Sequence, residues 1–170
     1  MVSIDAAASS VATEVNDTSL DISITIGATA NLVIVGTSTR NDTAPGTTTS
    51  VTIGGNNFTL LGEVTNANGT YSSLWYYLNP STGAQTITAN FSNPAGDDYV
   101  TAGAVSFIGA GTPENFASAT GTSAAPSITI TSATGSIVID TVGCSVAPTD
   151  TISADSPQTQ QVRTAALTGY

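Results

Sequence analysis

Apolar and polar residues alternate along much of this chain, and the alternation predicts β-strands. The clearest case is the segment LDISITI, in which every second residue is large and apolar: Leu20, Ile22, Ile24 and Ile26. Side chains of a strand point alternately to its two faces. The segment is therefore predicted to form a strand with one face in a hydrophobic core and the other in solvent.

The segment Thr70–Leu78, TYSSLWYYL, holds the only tryptophan and three of the five tyrosines. Large side chains fall on both of its predicted faces, which favours a central strand covered on both sides. The run NLVIVGTST, residues 31–39, has the same character. These two segments are predicted to lie in the middle of the sheet structure.

Glycine, proline and asparagine mark the turns between the other predicted strands, because they favour the backbone conformations that tight turns need. The marked turns include Gly54-Gly55-Asn56, Asn68-Gly69 and a short link, Ala133-Thr134-Gly135, between strands at 126–132 and 135–143. About ten strands without a helical period indicate an all-β fold, an antiparallel β-sandwich of immunoglobulin-like or jelly-roll-like form. Residues 1–15 are predicted to be an N-terminal strand and linker, and residues 16–170 the sandwich domain.

Charge and cysteine content narrow the function classes. The net charge is −10, Arg40 and Arg163 are the only basic side chains, and histidine is absent. We therefore expect no nucleic-acid partner and no attraction to anionic lipid. No apolar run is long enough to insert in a membrane, and the Thr-, Ser- and Asn-rich composition is typical of an exported, extracellular or cell-surface protein. The single Cys144 excludes an internal disulfide and is predicted to be buried in a strand.

The sequence shows no catalytic constellation. A nucleophile paired with a base has no candidate, and nothing in the sequence brings the carboxylates of Glu63 and Glu114 together as a glycosidase would require. Asp97-Asp98 is predicted to be a solvated acidic turn rather than a calcium site, because calcium takes six to eight oxygen ligands. We expect no enzymatic activity, no cofactor and no metal.

Five asparagines match the N-x-[ST] glycosylation pattern, hardly more than chance provides in a chain so rich in serine and threonine: Asn16, Asn41, Asn57, Asn68 and Asn90. Asn41 and Asn68 are predicted to lie in loops or turns and to be the best acceptors. Asn57 and Asn90 fall in predicted strands and are expected to be poorer ones unless their side chains face solvent.

Several stretches in combination resemble a recurrent β-sandwich module of secreted and cell-surface bacterial and archaeal proteins. They cover most of the chain, from Ile4 to about Gln160: VSIDAAAS, NLVIVGTST, TSVTIGG, FTLLG, LWYYLNP, TITANFS, VTAGAVSFIGA, SITITSATGSIVIDTVG and PQTQ. In that family the module usually continues past the PQTQ region to a closing strand. The printed sequence ends at Tyr170 without it, so either the chain is trimmed or the sandwich lacks a strand of its own.

A sandwich with a missing strand would expose unpaired backbone groups beside an apolar groove. A neighbouring copy could fill this groove with its N-terminal strand, whose alternating residues Val2, Ile4 and Ala6 make it the candidate donor. Such donation is head to tail and propagates into a filament. The alternative, equally weighted, is that residues 2–6 pair within their own domain, as the resemblance implies.

Family members tend to carry polar residues at the place of Ser73, so the resemblance implies that Leu74, Tyr76 and Leu78 fill the core and that Trp75 and Tyr77 are exposed. The alternative is a buried Trp75, as in immunoglobulin-like sandwiches. An exposed aromatic pair could contact carbohydrate or another subunit. The leading hypothesis is thus a glycosylated structural subunit of a pilus-like filament, a homopolymer of copies of itself. The second is a carbohydrate-binding or adhesive module of a larger surface protein.

Overall fold

The computed structural model describes residues 1–15, 18–41, 45–67, 69–92, 99–123 and 127–144, with backbone only for residues 6–15 and residue 99. Within these ranges the chain forms nine strands and no helix. The strands are β1 (Ser3–Val15), β2 (Ser19–Ile26), β3 (Ala30–Arg40), β4 (Thr48–Ile53), β5 (Asn56–Asn57), β6 (Thr59–Asn66), β7 (Thr70–Leu78), β8 (Gly83–Phe91) and β9 (Tyr99–Ile108).

Two antiparallel sheets pack face to face. One has five strands in the order β1-β9-β3-β7-β6, and the other has four in the order β2-β8-β4-β5. The chain passes between the sheets at most of its connections, so β7, β8 and β9 follow one another in sequence but alternate between sheets. The prediction of an all-β antiparallel sandwich is confirmed.

Strand β2 shows how the sequence pattern creates the core. Its residues alternate strictly between exposed and buried, and it pairs residue by residue with β8, from Ser19 opposite Asn90 to Ile26 opposite Gly83. The buried leucine and isoleucines project toward the five-stranded sheet. Together with residues of β3, β4, β7, β8 and β9 they form the inner core, which includes Ile22, Val33, Val35, Val51, Ile87, Ala89 and Val100.

The five-stranded sheet is also apolar on its outer face. A second cluster there contains Leu32, Ile34, Leu74 and Phe107, with partly buried neighbours that include Val2, Tyr76, Leu78 and Ile139. The segment after β9 packs over this face. A Cβ atom at Gly36 would lie 3.1 Å from Oγ1 of Thr141, and one at Gly62 would overlap the ring of Phe116. The central strands are thus covered on both sides, as the aromatic segment predicts.

The prediction that residues 126–132 and 135–143 form sheet strands is wrong, because residues 127–144 belong to neither sheet in the structure. The turn between them does form, since the Ser136 amide donates to the Ala133 carbonyl at 3.1 Å and Gly135 has a φ of 89°. Alternation predicts an extended, amphipathic segment, but it does not determine whether the backbone of that segment pairs with a sheet edge. Here the segment lies against side chains on a sheet face instead.

Cys144 is exposed, so its predicted burial in a strand is wrong. It is the last residue of the segment 127–144, which lies against the outer face of the five-stranded sheet. Because that segment has one side on the sheet and the other in solvent, a small apolar residue in it need not be buried.

Candidate functional site

The candidate subunit-contact site is the edge of the five-stranded sheet formed by β1 and β9. The two strands run antiparallel, with Ser3 opposite Ile108 and Ile4 opposite Phe107, then Ala8 opposite Val105. In this single chain β1 therefore pairs within its own fold, which is the alternative given above. Of the predicted donor residues, Val2 packs against the outer cluster, Ile4 is 40% exposed, and the side chain of Ala6 lies outside the described residues. Donation to a neighbouring copy stays a prediction.

A buried carboxylate, Asp5, lies near the start of β1 at this edge. Its Oδ2 atom accepts hydrogen bonds from the backbone amide of Gly27 at 2.7 Å and from the hydroxyl of Ser106 at 2.8 Å. Asp5 is only 8% exposed, so these donors offset the cost of removing its charge from water. Because Gly27 follows β2 and Ser106 belongs to β9, one side chain joins β1 to both sheets.

The pairing of β1 is irregular at the same place. Three residues of β1, from Asp5 to Ala7, stand against Ser106 alone, because Ile4 is opposite Phe107 and Ala8 is opposite Val105. Extra residues of this kind form a β-bulge, which re-aims side chains locally. The alternation of Val2, Ile4 and Ala6 did not reveal a role for Asp5, which stands between two of these residues. A signal was present, since an aspartate stands among small and apolar residues in VSIDAAA.

The aromatic strand has the opposite orientation from the one predicted. Trp75 is 8% exposed and belongs to the inner core, and Tyr77 is partly buried against the same cluster, with its ring centroid 5.4 Å from that of Phe58. Leu74, Tyr76 and Leu78 lie on the outer face instead. The predicted exposed contact at Trp75 and Tyr77 is therefore wrong, and the alternative of a buried Trp75 is what the structure shows.

The polarity of Ser73 favoured an exposed position for the face that it shares with Trp75, but hydrogen bonds allow Ser73 to be buried. Ser73 is 1% exposed, its Oγ accepts a hydrogen bond from Nε1 of Trp75 at 2.7 Å, and it lies 2.7 Å from Oγ1 of Thr37. Thr37 in turn lies 2.6 Å from the hydroxyl of Thr48. A serine whose hydroxyl has such partners can be buried at little cost. Its polarity therefore did not indicate a solvent-facing position.

Tyr71 extends this polar end of the core. Its hydroxyl donates to Oε2 of Glu63 at 2.7 Å, and the residue is 1% exposed. Burial and, next, the hydrogen bond to Glu63 raise the pKa of Tyr71 from 10.0 to about 12. Glu63, one of the two carboxylates considered for acid–base chemistry, accepts a structural hydrogen bond here.

The accessibility of the candidate glycosylation sites differs from the predicted order. Asn57 is exposed in β5, whereas Asn41 is 5% exposed and its backbone amide donates to the Gly69 carbonyl at 2.8 Å. Asn90 is half-buried, and its side-chain amide donates to Ser50 at 3.0 Å. Asn16 and Asn68 lie outside the described residues. Asn57 lies in a strand but faces solvent and so meets the stated condition for an acceptor, whereas the predicted loop position of Asn41 did not make its side chain accessible.

Neither a cluster of metal ligands nor a membrane-spanning helix occurs in the part of the chain that the structure describes. No group of three or more His, Cys, Asp or Glu side chains there could hold a metal ion. The acidic pair Asp97-Asp98 lies outside those residues. The described ranges also contain no helix with the length and apolar character needed to cross a bilayer.

No known protein-family model matches the sequence, and no curated protein or solved structure shows significant similarity to it. What is shown is the two-sheet antiparallel sandwich itself.

Replacing Trp75 with alanine is expected to lower the free energy of unfolding by about 3–5 kcal/mol, because a large buried side chain leaves a cavity in the inner core. Urea denaturation measures this change. Leu60→Ala, at a position 39% exposed, is the control and is expected to cost far less. A Trp75→Ala chain as stable as the Leu60→Ala chain would contradict the inward orientation of Trp75.

The stability of the chain is expected to fall as the pH rises from about 10 to about 12, in part through Tyr71. In this range the phenol ionises in the unfolded chain but stays protonated in the folded one, so the folded state binds more protons and loses stability with rising pH. Melting temperatures across this range should fall less steeply for Tyr71→Phe. Tyr76→Phe, on the opposite face of β7, serves as control, and equal slopes for Tyr71→Phe and the parent chain would contradict the assignment.

Of the two sequons Asn41 and Asn57, we expect only Asn57 to carry glycan when the protein is made in a glycosylating host, because its side chain is accessible and that of Asn41 is not. Intact-mass analysis should show the loss of one glycan in Asn57→Gln and no loss in Asn41→Gln. The opposite result would show that glycosylation precedes the burial of Asn41.

Proposed function

We propose that this protein is a non-enzymatic structural subunit of an extracellular, pilus-like filament, in which β1 of one copy completes the sandwich of the next. The observation that supports this proposal is the place of β1, which forms one end of the five-stranded sheet with β9 as its neighbour. Removing an edge strand of this kind leaves the order β9-β3-β7-β6 intact. The vacated edge of β9 would then accept the same strand from another molecule.

Exchange of β1 would reproduce between two copies the hydrogen bonds that β1 makes within one. Identical contacts mean that the two arrangements differ mainly in chain entropy and concentration, so high concentration favours exchange. Each copy would donate β1 at one place and accept it at another. Such a head-to-tail contact does not close on itself unless the geometry forms a ring, and it otherwise extends into a filament.

The composition supports a location outside the cell. Only 8% of the residues are charged, lysine and histidine are absent, and threonine, serine and asparagine provide the polar surface. An accessible sequon at Asn57 is consistent with a glycoprotein.

The structure removes the observation that favoured a carbohydrate-binding or adhesive module. That hypothesis depended on an exposed pair formed by Trp75 and Tyr77, and both side chains pack against the inner core. A stacking platform on this strand would have to expose aromatic rings to solvent. The filament proposal is therefore the better supported of the two.

A reversible covalent clamp tests the proposal. Ser10 and Gly103 are opposite one another in the β1–β9 pair, and directly opposed antiparallel residues lie within the range that a disulfide spans. In a chain carrying Ser10→Cys, Gly103→Cys and Cys144→Ser, oxidation at low protein concentration should link β1 to its own β9.

We expect the reduced chain to form fibres visible by negative-stain microscopy as its concentration rises, and the oxidised chain to remain monomeric. Fibres from the fully oxidised chain would exclude exchange of β1. A reduced chain that stays monomeric at every concentration, together with a parent chain that does the same, would exclude the filament function.

A further inference from the structure

Most of the sequence of β1 does little to determine the register in which β1 pairs with β9. From Ala6 to Ala12 the residues are AAASSVA, all small apart from one valine. A shift by two residues keeps every side chain on its original face and replaces one small residue by another. Packing alone would therefore discriminate weakly between alignments of this segment.

Asp5 differs from these residues because the groups that donate to its Oδ2 atom lie outside β1. Ser106 is 0% exposed within β9, and Gly27 lies directly after β2 in the other sheet. A Cβ atom at Gly27 would overlap Oδ1 of Asp5, so the carboxylate lies in a space that the missing side chain leaves open. The carboxylate is thus bound by a hydroxyl of β9 and by a backbone amide directly after β2, both outside β1.

We propose that Asp5 is a positioning residue that selects the register of β1 on β9, and that it does so whether β1 comes from the same chain or from a neighbouring copy. The intermolecular half of this proposal rests on the proposed function. A shift of two residues moves a strand by about 7 Å, far beyond hydrogen-bond distance. It would bring Ser3 or Ala7 to the place of Asp5 and leave the Gly27 amide and the Ser106 hydroxyl without the carboxylate.

The two hydrogen bonds predict a distinctive order of variants. Both end on the same oxygen, Oδ2, and an amide oxygen in that place can accept two hydrogen bonds. Asp5→Asn should therefore retain the register, whereas Asp5→Ala should lose it and Ser106→Ala should weaken it. A residue needed only for its negative charge would not be rescued by asparagine.

Disulfide mapping in the full chain measures the register directly. In the Cys144→Ser background, Gly103→Cys is combined in turn with Ala8→Cys, Ser10→Cys or Ala12→Cys, which report a shift of two residues one way, the observed register and a shift the other way. With Asp5 present, we expect the Ser10→Cys pair to cross-link about thirtyfold faster than the others, since two hydrogen bonds of about 1 kcal/mol each make about 2 kcal/mol and about 1.4 kcal/mol is a factor of ten. With Asp5→Ala, the three rates should approach one another.

Asp21→Ala is the matched control. It removes an exposed carboxylate of the four-stranded sheet, on β2, which accepts a hydrogen bond from Thr88 on the neighbouring strand β8. It should leave the preference for the Ser10→Cys pair unchanged. The proposal is overturned if Asp5→Ala keeps the preference, or if Asp5→Ala abolishes all three cross-links, since Asp5 would then hold β1 in place without choosing its register. If Asp5→Ala does not fold, Ser106→Ala decides, and an unchanged preference there overturns the proposal.

The mass of the cross-linked products separates this inference from the proposed function. Products of monomer mass at every concentration would exclude exchange between copies but leave the register result valid. Products of dimer mass and above, formed with the same preference for Ser10→Cys, would show that Asp5 also selects the register between copies.

Discussion

Burial of both faces of the five-stranded sheet is the constraint on which the rest of the structure depends. Its middle strand, β3, pairs with β7 on one side and β9 on the other, so its backbone groups are satisfied within the sheet. One face of β3 packs into the inner core through Val33 and Val35, and the other contributes Leu32 and Ile34 to the outer cluster. A sheet of this kind needs a layer on each side. The four-stranded sheet supplies one, and the segment after β9 contributes to the other.

Polar groups buried inside the sandwich are tolerated because they have hydrogen-bond partners. At one end of the sandwich, hydroxyls of β3, β4 and β7 form a hydrogen-bonded set with the indole of Trp75. At the β1 edge, Asp5 accepts hydrogen bonds from Gly27 and Ser106. Hydrogen bonds depend on direction and distance, whereas apolar packing tolerates small shifts. The polar groups therefore specify how the strands align, and the apolar ones supply most of the stabilisation.

The edge position of β1 connects this architecture to the proposed assembly. An interior strand such as β3 could not leave without breaking two ladders, whereas β1 would break one ladder, with β9, and the hydrogen bonds of Asp5. With a single cysteine, the chain cannot form an internal disulfide that would hold β1 against the sheet. Under the proposed exchange, the order β9-β3-β7-β6 would stay unchanged, and the carboxylate of Asp5, near the start of β1, would give the contact its specificity.

Local sequence patterns were enough to predict the fold class, the places of β2, β3 and β7, and several turns, because strand periodicity and turn-forming residues act over a few neighbouring positions. It did not determine which face of β7 points inward. Alternation shows only that two faces exist, and both faces of this strand are buried.

The tertiary structure decided that Trp75 and Ser73 lie inside, that Asn41 is covered and that residues 127–144 lie on a sheet face outside either ladder. It also decided that Asp5 meets Gly27 and Ser106, which are 22 and 101 residues away along the chain. These outcomes depend on groups that are distant in sequence and close in space, and no local pattern of residues encodes such a distance.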